Sequence, residues 1–361
     1  MRSRRLAMVL LAFVLAAAAA HGEAPKQASK VQARHAAGQT FVTFQEVDPP
    51  GFDEPVPVVQ VRQAARDLAE RRKIVYRVYR SDRPIESLEG LTPIGEVRPL
   101  SAWNLEYYGG DSDRPESKAF RYVVADGRPP LPPGMGLWVG NPPKAGKAHY
   151  AVTYSVDAEE NTAVGPDNRT AAAVDETVGQ GVPVLQRTVE PKEFSYVRNP
   201  TLHYYVRWES PPNCAAQGKP YDYLVGLPPS PAKPAPVGLH LHCWGGSLNG
   251  GYGWWYNAEK GAALISSNQV PYDWWTGYHE RFWDGPRDQK TWQDGVVRPY
   301  SQTRMLSFLD WAATRYDLDL KRIFTAGNSM GGAGSPMLAI RYPERIAWAV
   351  SWVGVHIPAQ S

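Results

Sequence analysis

The stretch RIFTAGNSMGG, at residues 322–332, governs how the C-terminal half of this chain is organised. Its first five residues read as a strand, and residues 330–341 read as a helix. Between them lies a G-x-S-x-G sequence, whose glycines permit a tight strand-to-helix turn that side chains would obstruct. The pattern predicts that Ser329 is a nucleophile, in a turn formed by Gly327, Asn328 and Gly331. An inert glycine-rich turn is the alternative.

The segments around this turn alternate between strand and helix. Residues 299–316 carry apolar side chains at helical spacing, and residues 347–355 read as a strand. Further strands are predicted upstream, at 183–187, 204–208, 221–227, 237–242 and 262–267. Strand, helix, strand, helix, strand is the order of an α/β fold with a mostly parallel sheet.

Three short sequences carry a resemblance to a known family: LDLKRI at 318–323, AGNSMGG at 326–332 and RYPE at 341–344. They resemble the α/β-hydrolase superfamily and look like its secreted esterase, polyester-depolymerase and feruloyl esterase-like members, from residue 221 onward. The resemblance implies that Ser329 attacks an ester carbonyl and that the Met330 backbone N–H stabilises the oxyanion. It implies no metal and no organic cofactor.

The family's second oxyanion donor lies in the loop after an earlier strand, which here is CWGGS at 243–247. Trp244 and Gly245 are the two candidates for that backbone N–H. His240 and His242 share one face of the preceding strand. Metal ligation by this pair is the alternative to packing, and we expect packing, because no further ligands stand at a recognisable spacing.

Seven of the 13 tryptophans lie between residues 244 and 292, on loops that follow two predicted strands. Loops at the carboxyl ends of such strands bind ligands in α/β proteins. We therefore expect Trp254, Trp255, Trp274 and Trp275 to line a site for an aromatic, sugar or polyester substrate. The alternative is that these rings form a satellite core under long loops.

A serine nucleophile needs a histidine base oriented by a carboxylate, which in this family follow the serine along the chain. After Ser329 the sequence contains one carboxylate, Glu344, and one histidine, His356. We expect Glu344 to be a solvated charge, and His356 to line the rim of the site rather than act as base. The preferred interpretation is that the chain ends inside the catalytic domain. The alternatives are a non-catalytic binding protein, or use of an upstream histidine, His242 or His279.

Residues 38–176 read as short β-rich runs separated by Gly, Pro and Asp, with one helix at 58–72. This spacing is typical of an antiparallel sandwich. VYRVYRS at 75–81 and YAVTYSVDA at 150–158 resemble strands of a fibronectin type III-like module. The resemblance places Tyr150 as a corner tyrosine whose hydroxyl bonds back to the chain. The α/β-hydrolase domain is assigned to 177–361.

Residues 1–22 have the basic start, apolar run and small residues of a secretory signal peptide. The apolar run is shorter than the roughly 20 residues of a membrane span, so we expect a secreted or periplasmic protein with no stable membrane anchor. Residues 23–37 are small and polar and read as a flexible linker. The chain has two cysteines, Cys214 and Cys243, which either pair in one disulfide bridge or stay free.

Composition excludes several classes of protein. With 43% hydrophobic and 21% charged residues, the chain is not a collagen, a disordered protein or a polytopic membrane protein. The formal charge is 39 − 36 = +3, and loss of three arginines with residues 1–22 leaves 0, so a nucleic-acid partner is not expected. The sequence predicts a secreted carboxylic-ester hydrolase acting on a polymeric or aromatic ester, such as a polysaccharide or polyester. A serine peptidase, or an inactive carbohydrate- or surface-binding protein, is the alternative.

Overall fold

The structure is a computed structural model that describes residues 26–107, 117–189, 200–250, 260–283 and 294–355. The signal peptide predicted at 1–22 lies outside these ranges. Within the described ranges, the N-terminal β region, residues 26–176, contains ten strands and one α-helix. In chain order they are β1 (Ser29–Ala36), β2 (Gln39–Gln45), α1 (Val58–Arg66), β3 (Val75–Ser81), β4 (Gly95–Val97), β5 (Trp103–Asn104), β6 (Phe120–Arg121), β7 (Met135–Gly140), β8 (Gly146–Val156), β9 (Glu159–Asn161) and β10 (Val174–Glu176).

Two antiparallel sheets make up most of this region, in the orders β1-β2-β7 and β10-β8-β3-β4, with β9 beside β8. Their facing side chains share one core, which includes Phe44 from the first sheet and Tyr76 and Val152 from the second. The helix predicted at 58–72 is present as α1, followed by a π-helical turn at Asp67–Arg71. The assignment to a fibronectin type III-like module stays a prediction.

Two expectations for this region are corrected. The linker predicted at 23–37 is wrong for residues 29–36, which form β1 on β2. Val31 and Ala33 face inward between exposed Lys30, Gln32 and Arg34, and the small alanine conceals that alternation in the sequence. The buried Tyr150 hydroxyl donates to the carboxylate of Glu176 rather than to the backbone.

The C-terminal half is built on a seven-stranded mixed sheet with two helices. Its elements are β11 (Val184–Val189), β12 (Thr201–Glu209), β13 (Lys219–Leu227), β14 (Ala235–Leu241), β15 (Ala263–Ser267), β16 (Tyr278–His279), β17 (Val297–Arg298), α2 (Tyr300–Arg315), β18 (Leu318–Asn328), α3 (Met330–Arg341) and β19 (Trp348–Trp352). The sheet order is β11-β12-β13-β15-β14-β18-β19, and β16 pairs with β17 separately.

Strands β15, β14, β18 and β19 are parallel, whereas β11, β12 and β13 run antiparallel to their neighbours. The predicted parallel sheet with flanking helices is therefore present in this part of the chain. Its largest core joins Leu239 and Ile265 of the sheet to Phe308 of α2 and Met330 of α3. Among the described residues, no helix is long and apolar enough to cross a membrane.

The N-terminal β region packs directly on the antiparallel end of this sheet. Phe41 and Val139 share a core with Val206 and Trp208 of β12. Contacts of this kind bury apolar surface, which contributes roughly 25 cal/mol per Å² of apolar area removed from water. The two halves are thus joined by a hydrophobic interface as well as by the chain.

Glu46 anchors the segment that links β4 to β5. Its carboxylate accepts the backbone N–H groups of Leu100 (3.0 Å) and Ser101 (3.4 Å), and its side chain is buried. Burial raises the pKa of Glu46 to about 7 from an ordinary value of 4.5. Because the folded pKa exceeds the unfolded one, this group favours the folded state most below pH 4.5. That contribution is lost as the pH rises to about 7.

Replacing Glu46 with glutamine removes this pH dependence, since the amide stays neutral. We expect Glu46→Gln to match the wild type at pH 4 and to be more stable by up to about 3 kcal/mol at pH 8. Urea unfolding at both pH values measures the difference. The exposed Glu89→Gln is the control and should show no such divergence. A difference in unfolding free energy between Glu46→Gln and the wild type that does not change with pH would contradict the raised pKa of Glu46.

Candidate active site

Ser329 occupies a sharp turn between β18 and α3. Its backbone has φ 52° and ψ −115°, a left-handed φ that non-glycine residues rarely adopt. The strain is held by neighbours on both sides: the Ser329 N–H donates to the Trp352 carbonyl (2.9 Å), and its own carbonyl accepts the Ala333 N–H (2.9 Å). The half-buried side chain therefore projects from a turn fixed by β19 and α3.

The flanking glycines are required by sterics. A Cβ on Gly327 would lie 2.4 Å from the carbonyl carbon of Gly331, and a Cβ on Gly331 would lie 1.8 Å from the Leu241 carbonyl oxygen. Both distances are far below van der Waals contact with atoms of the backbone. The strand–turn–helix geometry predicted from G-x-S-x-G is present, while the catalytic role of Ser329 stays a prediction.

The loop after β14 reaches the same edge of the sheet as this turn, because Leu241 pairs with Gly327 in parallel register. Within the loop, the Gly246 N–H donates to the Cys243 carbonyl (2.9 Å), and Gly245 has φ 70°. That bond engages Gly246, so Trp244 and Gly245 remain the candidate donors. The Met330 N–H belongs to the first turn of α3, where backbone N–H groups lack helical partners and favour an anion.

His242 holds this loop in place and is not placed to act as a base. Its Nε2 accepts the Gln269 backbone N–H (3.0 Å), so the proton lies on Nδ1, which donates to the Cys243 carbonyl (2.8 Å). Burial lowers the pKa of His242 to about 4. Both ring nitrogens are occupied, which argues against the alternative of an upstream His242 base. His240 is also buried in the sheet, and its burial lowers its pKa to about 3.

In the described ranges, no histidine or carboxylate hydrogen-bonds to the Ser329 hydroxyl. Glu344 is exposed just beyond α3, as expected of a solvated charge, and His356 lies outside the described residues. The upstream His279 lies in β16, where its Nδ1 accepts the Arg281 backbone N–H (3.1 Å). The base and its carboxylate are therefore not assigned to a described residue.

The aromatic residues near the loop at 243–247 differ in exposure: Trp275 is buried, whereas Trp244 is exposed. The prediction that Trp275 lines the substrate site is wrong, because this ring is only 1% exposed. It packs beside Gly334 of α3, on which a Cβ would lie 2.4 Å from the Trp275 Cβ, and its Nε1 donates to the His242 carbonyl (3.0 Å). Trp275 thus supports α3 and the start of the loop at 243–247.

Trp244 is the exposed aromatic of this loop, with 58% of its surface accessible. It leans on Tyr272, with 4.7 Å between ring centroids. Trp274 is half-buried against the core, and its predicted contact with substrate stays a prediction. Trp254 and Trp255 lie outside the described residues. The exposed ring of Trp244 provides an apolar surface on the loop that follows β14.

Sequence reasoning missed a support for the segment after β14 that comes from the N-terminal β region. Asn268 accepts the Leu248 N–H (2.8 Å) and donates to the carbonyls of Glu106 (2.9 Å) and Tyr107 (2.5 Å). The Asn249 amide donates to the Tyr107 hydroxyl (3.3 Å). No local pattern signals the bonds to Glu106 and Tyr107, because their partners are more than 140 residues away in the chain.

Two further observations bear on the chemistry available here. Among the described residues, no group of three or more His, Cys, Asp or Glu side chains is arranged to hold a metal ion. Cys214 and Cys243 are both free thiols, and the Cys214 sulfur accepts the Tyr278 hydroxyl (3.3 Å). The groups at Ser329 that the structure describes are therefore a hydroxyl and backbone N–H donors.

No protein-family model and no curated protein matches the chain. Among solved structures, an acetyl xylan esterase from Aspergillus awamori is similar at 19% identity, covering 37% of this chain and 47% of that one, with a TM-score of 0.29. An S-formylglutathione hydrolase from Agrobacterium tumefaciens is similar at 17% identity, covering 48% and 64%, with a TM-score of 0.33. A glucuronoyl esterase from Solibacter usitatus is similar at 16% identity, covering 48% and 51%, with a TM-score of 0.33. The chain spans about half to two-thirds of the length of these proteins.

Proposed function

We propose that this protein is a serine hydrolase of carboxylic esters, exported from the cytoplasm. The observation that carries the proposal is the strained backbone of Ser329, wedged between two glycines that no larger residue can replace. Strain of this kind persists only where the surrounding structure over-determines it, and such sites are often functional. The proposed substrate is an ester of a polymeric or aromatic compound, for which the exposed Trp244 ring offers a stacking surface.

In the proposed reaction, the Ser329 hydroxyl oxygen attacks the ester carbonyl carbon. A histidine base takes the hydroxyl proton and returns it to the departing alcohol as the carbon–oxygen ester bond breaks. The backbone N–H of Met330 and one N–H of Trp244 or Gly245 hold the oxyanion, where each donor is worth a few kcal/mol in the transition state. Water then hydrolyses the acyl-serine and releases the acid.

Ester and amide substrates with the same acyl group separate esterase from peptidase. We expect 4-nitrophenyl acetate to be hydrolysed at least about a hundredfold faster than 4-nitroacetanilide, because an amine leaving group requires protonation by a well-placed general acid. Release of 4-nitrophenol or 4-nitroaniline, with Ser329→Ala as blank, measures this. A faster amide reaction would favour a peptidase. Turnover of neither substrate, with saccharide binding retained, would favour an inactive binding protein.

A further inference from the structure

A cavity of about 260 Å³ lies where the N-terminal β region meets the mixed sheet. Its lining includes Trp103, Phe120 and Arg121 from the first half and Arg187, Tyr204 and Asp222 from the second. Domain interfaces are frequent places for small-molecule sites, which begin at about 300 Å³. The cavity is thus of a size to hold about one ring of a larger ligand.

Asp222 is the informative residue in this cavity. Its side chain is 4% exposed, and its Oδ1 accepts the Asn104 amide (2.6 Å). Its Oδ2 is buried with no hydrogen-bond partner in the described parts of the chain. A buried acceptor without a partner costs about 1–3 kcal/mol, so a ligand that donates a hydrogen bond there recovers that loss.

Arg121 supplies the complementary group. Its guanidinium pairs with Glu54 through Nη1 and Nη2, while its Nε–H is buried without a partner in the described ranges. The same guanidinium lies over the Trp103 ring, 5.1 Å from the ring centroid. Two residues that line the cavity, Asp222 and Arg121, therefore each carry one buried polar atom without a partner among the described residues.

Register places this cavity on the same edge of the sheet as Ser329. The register of β13 on β15 pairs Tyr223 with Ser267, which places Asp222 opposite residue 268. The parallel registers of β15 on β14 and of β14 on β18 carry that level through residue 242 to Asn328. Three strand spacings separate β13 from β18, which corresponds to about 14 Å. A chain-like substrate can therefore span from this cavity to the serine.

The cavity also shares a wall with the oxyanion loop. The Tyr204 hydroxyl donates to Asn249 Oδ1 (2.9 Å), and the Asn249 amide donates to the Tyr107 hydroxyl (3.3 Å). Both tyrosines line the cavity, and the Arg187 guanidinium lies 4.4 to 4.6 Å from their ring centroids. Occupation of the cavity is thus linked through Asn249 to the loop that carries Trp244 and Gly245.

We propose that this cavity is a saccharide subsite, in which Asp222 accepts a sugar hydroxyl and the Arg121 Nε–H donates to a second sugar oxygen. Two arginines face two acids, Glu54 and Asp222, so the lining has no excess charge to select a free anion. An apolar ligand would leave both polar atoms unsatisfied. The proposal deepens the proposed function, on which it rests for the ester chemistry, by making the substrate an esterified polysaccharide.

The test is calorimetric binding of unesterified xylohexaose, cellohexaose and hexagalacturonate to the full chain carrying Ser329→Ala. We expect saturable binding of a neutral hexasaccharide. At pH 8.5, above the value of about 7 to which burial raises the pKa of Asp222, adding Asp222→Asn should weaken binding by roughly tenfold or more, since a hydrogen bond to a charged group is worth about 1.5–3 kcal/mol. This substitution keeps a carbonyl oxygen for the Asn104 bond but replaces the vacant acceptor with an amide donor. Arg121→Lys, which keeps the charge and loses Nε–H, should weaken binding as well.

Asp310→Asn, at an exposed position on α2, is the matched control and should bind as the parent does. Thermal unfolding establishes that each variant is folded. Unchanged affinity in folded Asp222→Asn, binding of hexagalacturonate alone, or no binding of any of the three would overturn the subsite. Fluorophosphonate labelling of Ser329 does not depend on the cavity, so failure of the subsite and failure of the serine are distinguishable.

Discussion

Replacing Ser329 with alanine is expected to lower the rate of ester hydrolysis by at least about 10⁴-fold, because no second hydroxyl occupies the turn. The loss should appear in kcat rather than in KM, since the hydroxyl acts in the transition state. Stability should change by less than about 1 kcal/mol, because alanine meets the same backbone strain as serine and the side chain is only half-buried. Fluorophosphonate labelling followed by mass spectrometry of the modified peptide measures the nucleophilic reaction of the Ser329 hydroxyl directly.

The matched control for this change is Ser230→Ala. Ser230 is exposed and precedes β14, at the opposite end of the strand from the loop at 243–247. It should leave both turnover and labelling intact. Labelling that survives Ser329→Ala would place the nucleophile elsewhere in the chain and would remove the basis of the proposed function.

Gly331→Ala should be among the most damaging single-methyl changes in this half of the protein. Its Cβ would lie 1.8 Å from the Leu241 carbonyl oxygen and 3.0 Å from that of His242. Both are backbone atoms at the end of β14, so no side-chain rotation relieves the overlap. We expect a loss of at least about 3 kcal/mol in the free energy of unfolding, together with loss of turnover, because α3 must move away from β14.

Gly51→Ala is the control, since a Cβ there has no heavy atom within 4 Å. Its unfolding free energy should lie within about 0.5 kcal/mol of the wild type. Urea unfolding followed by circular dichroism compares the two variants. A Gly331→Ala protein with wild-type stability and turnover would show that the turn is not as tightly held as its geometry indicates.

Local sterics and periodicity account for the features that were predicted well. The helix expected at 299–316 is α2, because its apolar residues recur at helical spacing, and the helix expected at 330–341 is α3. The turn at Ser329 follows from two glycines whose absence of side chains is itself the signal. Helical spacing acts between residues close in the chain, and the two glycines mark the turn in the sequence, although Gly331 is required by its contact with the distant Leu241.

Features that depend on partners distant in the chain were missed or misread. Trp275 was expected to meet substrate, but Gly334 leaves the space in which its ring is buried. Residues 29–36 were expected to be flexible, but β2 supplies the hydrogen bonds that make them a strand. A tryptophan is compatible with a substrate site and with a buried core. An alternating polar segment is compatible with a linker and with a strand. Composition therefore does not decide either case.

The sequence by itself specifies a serine on a strand-to-helix turn, because the G-x-S-x-G pattern that marks the turn is contiguous. The contact that makes Gly331 obligatory, with the Leu241 carbonyl oxygen of β14, is visible only in the tertiary structure. The sequence also does not specify what surrounds that serine. The loop at 243–247 is held by Asn268 and His242, and the cavity beside it joins Asn104 to Asp222 across 118 residues of chain. Such contacts arise from the packing of the N-terminal β region on the mixed sheet, and pairing between distant segments leaves no periodic trace in the sequence.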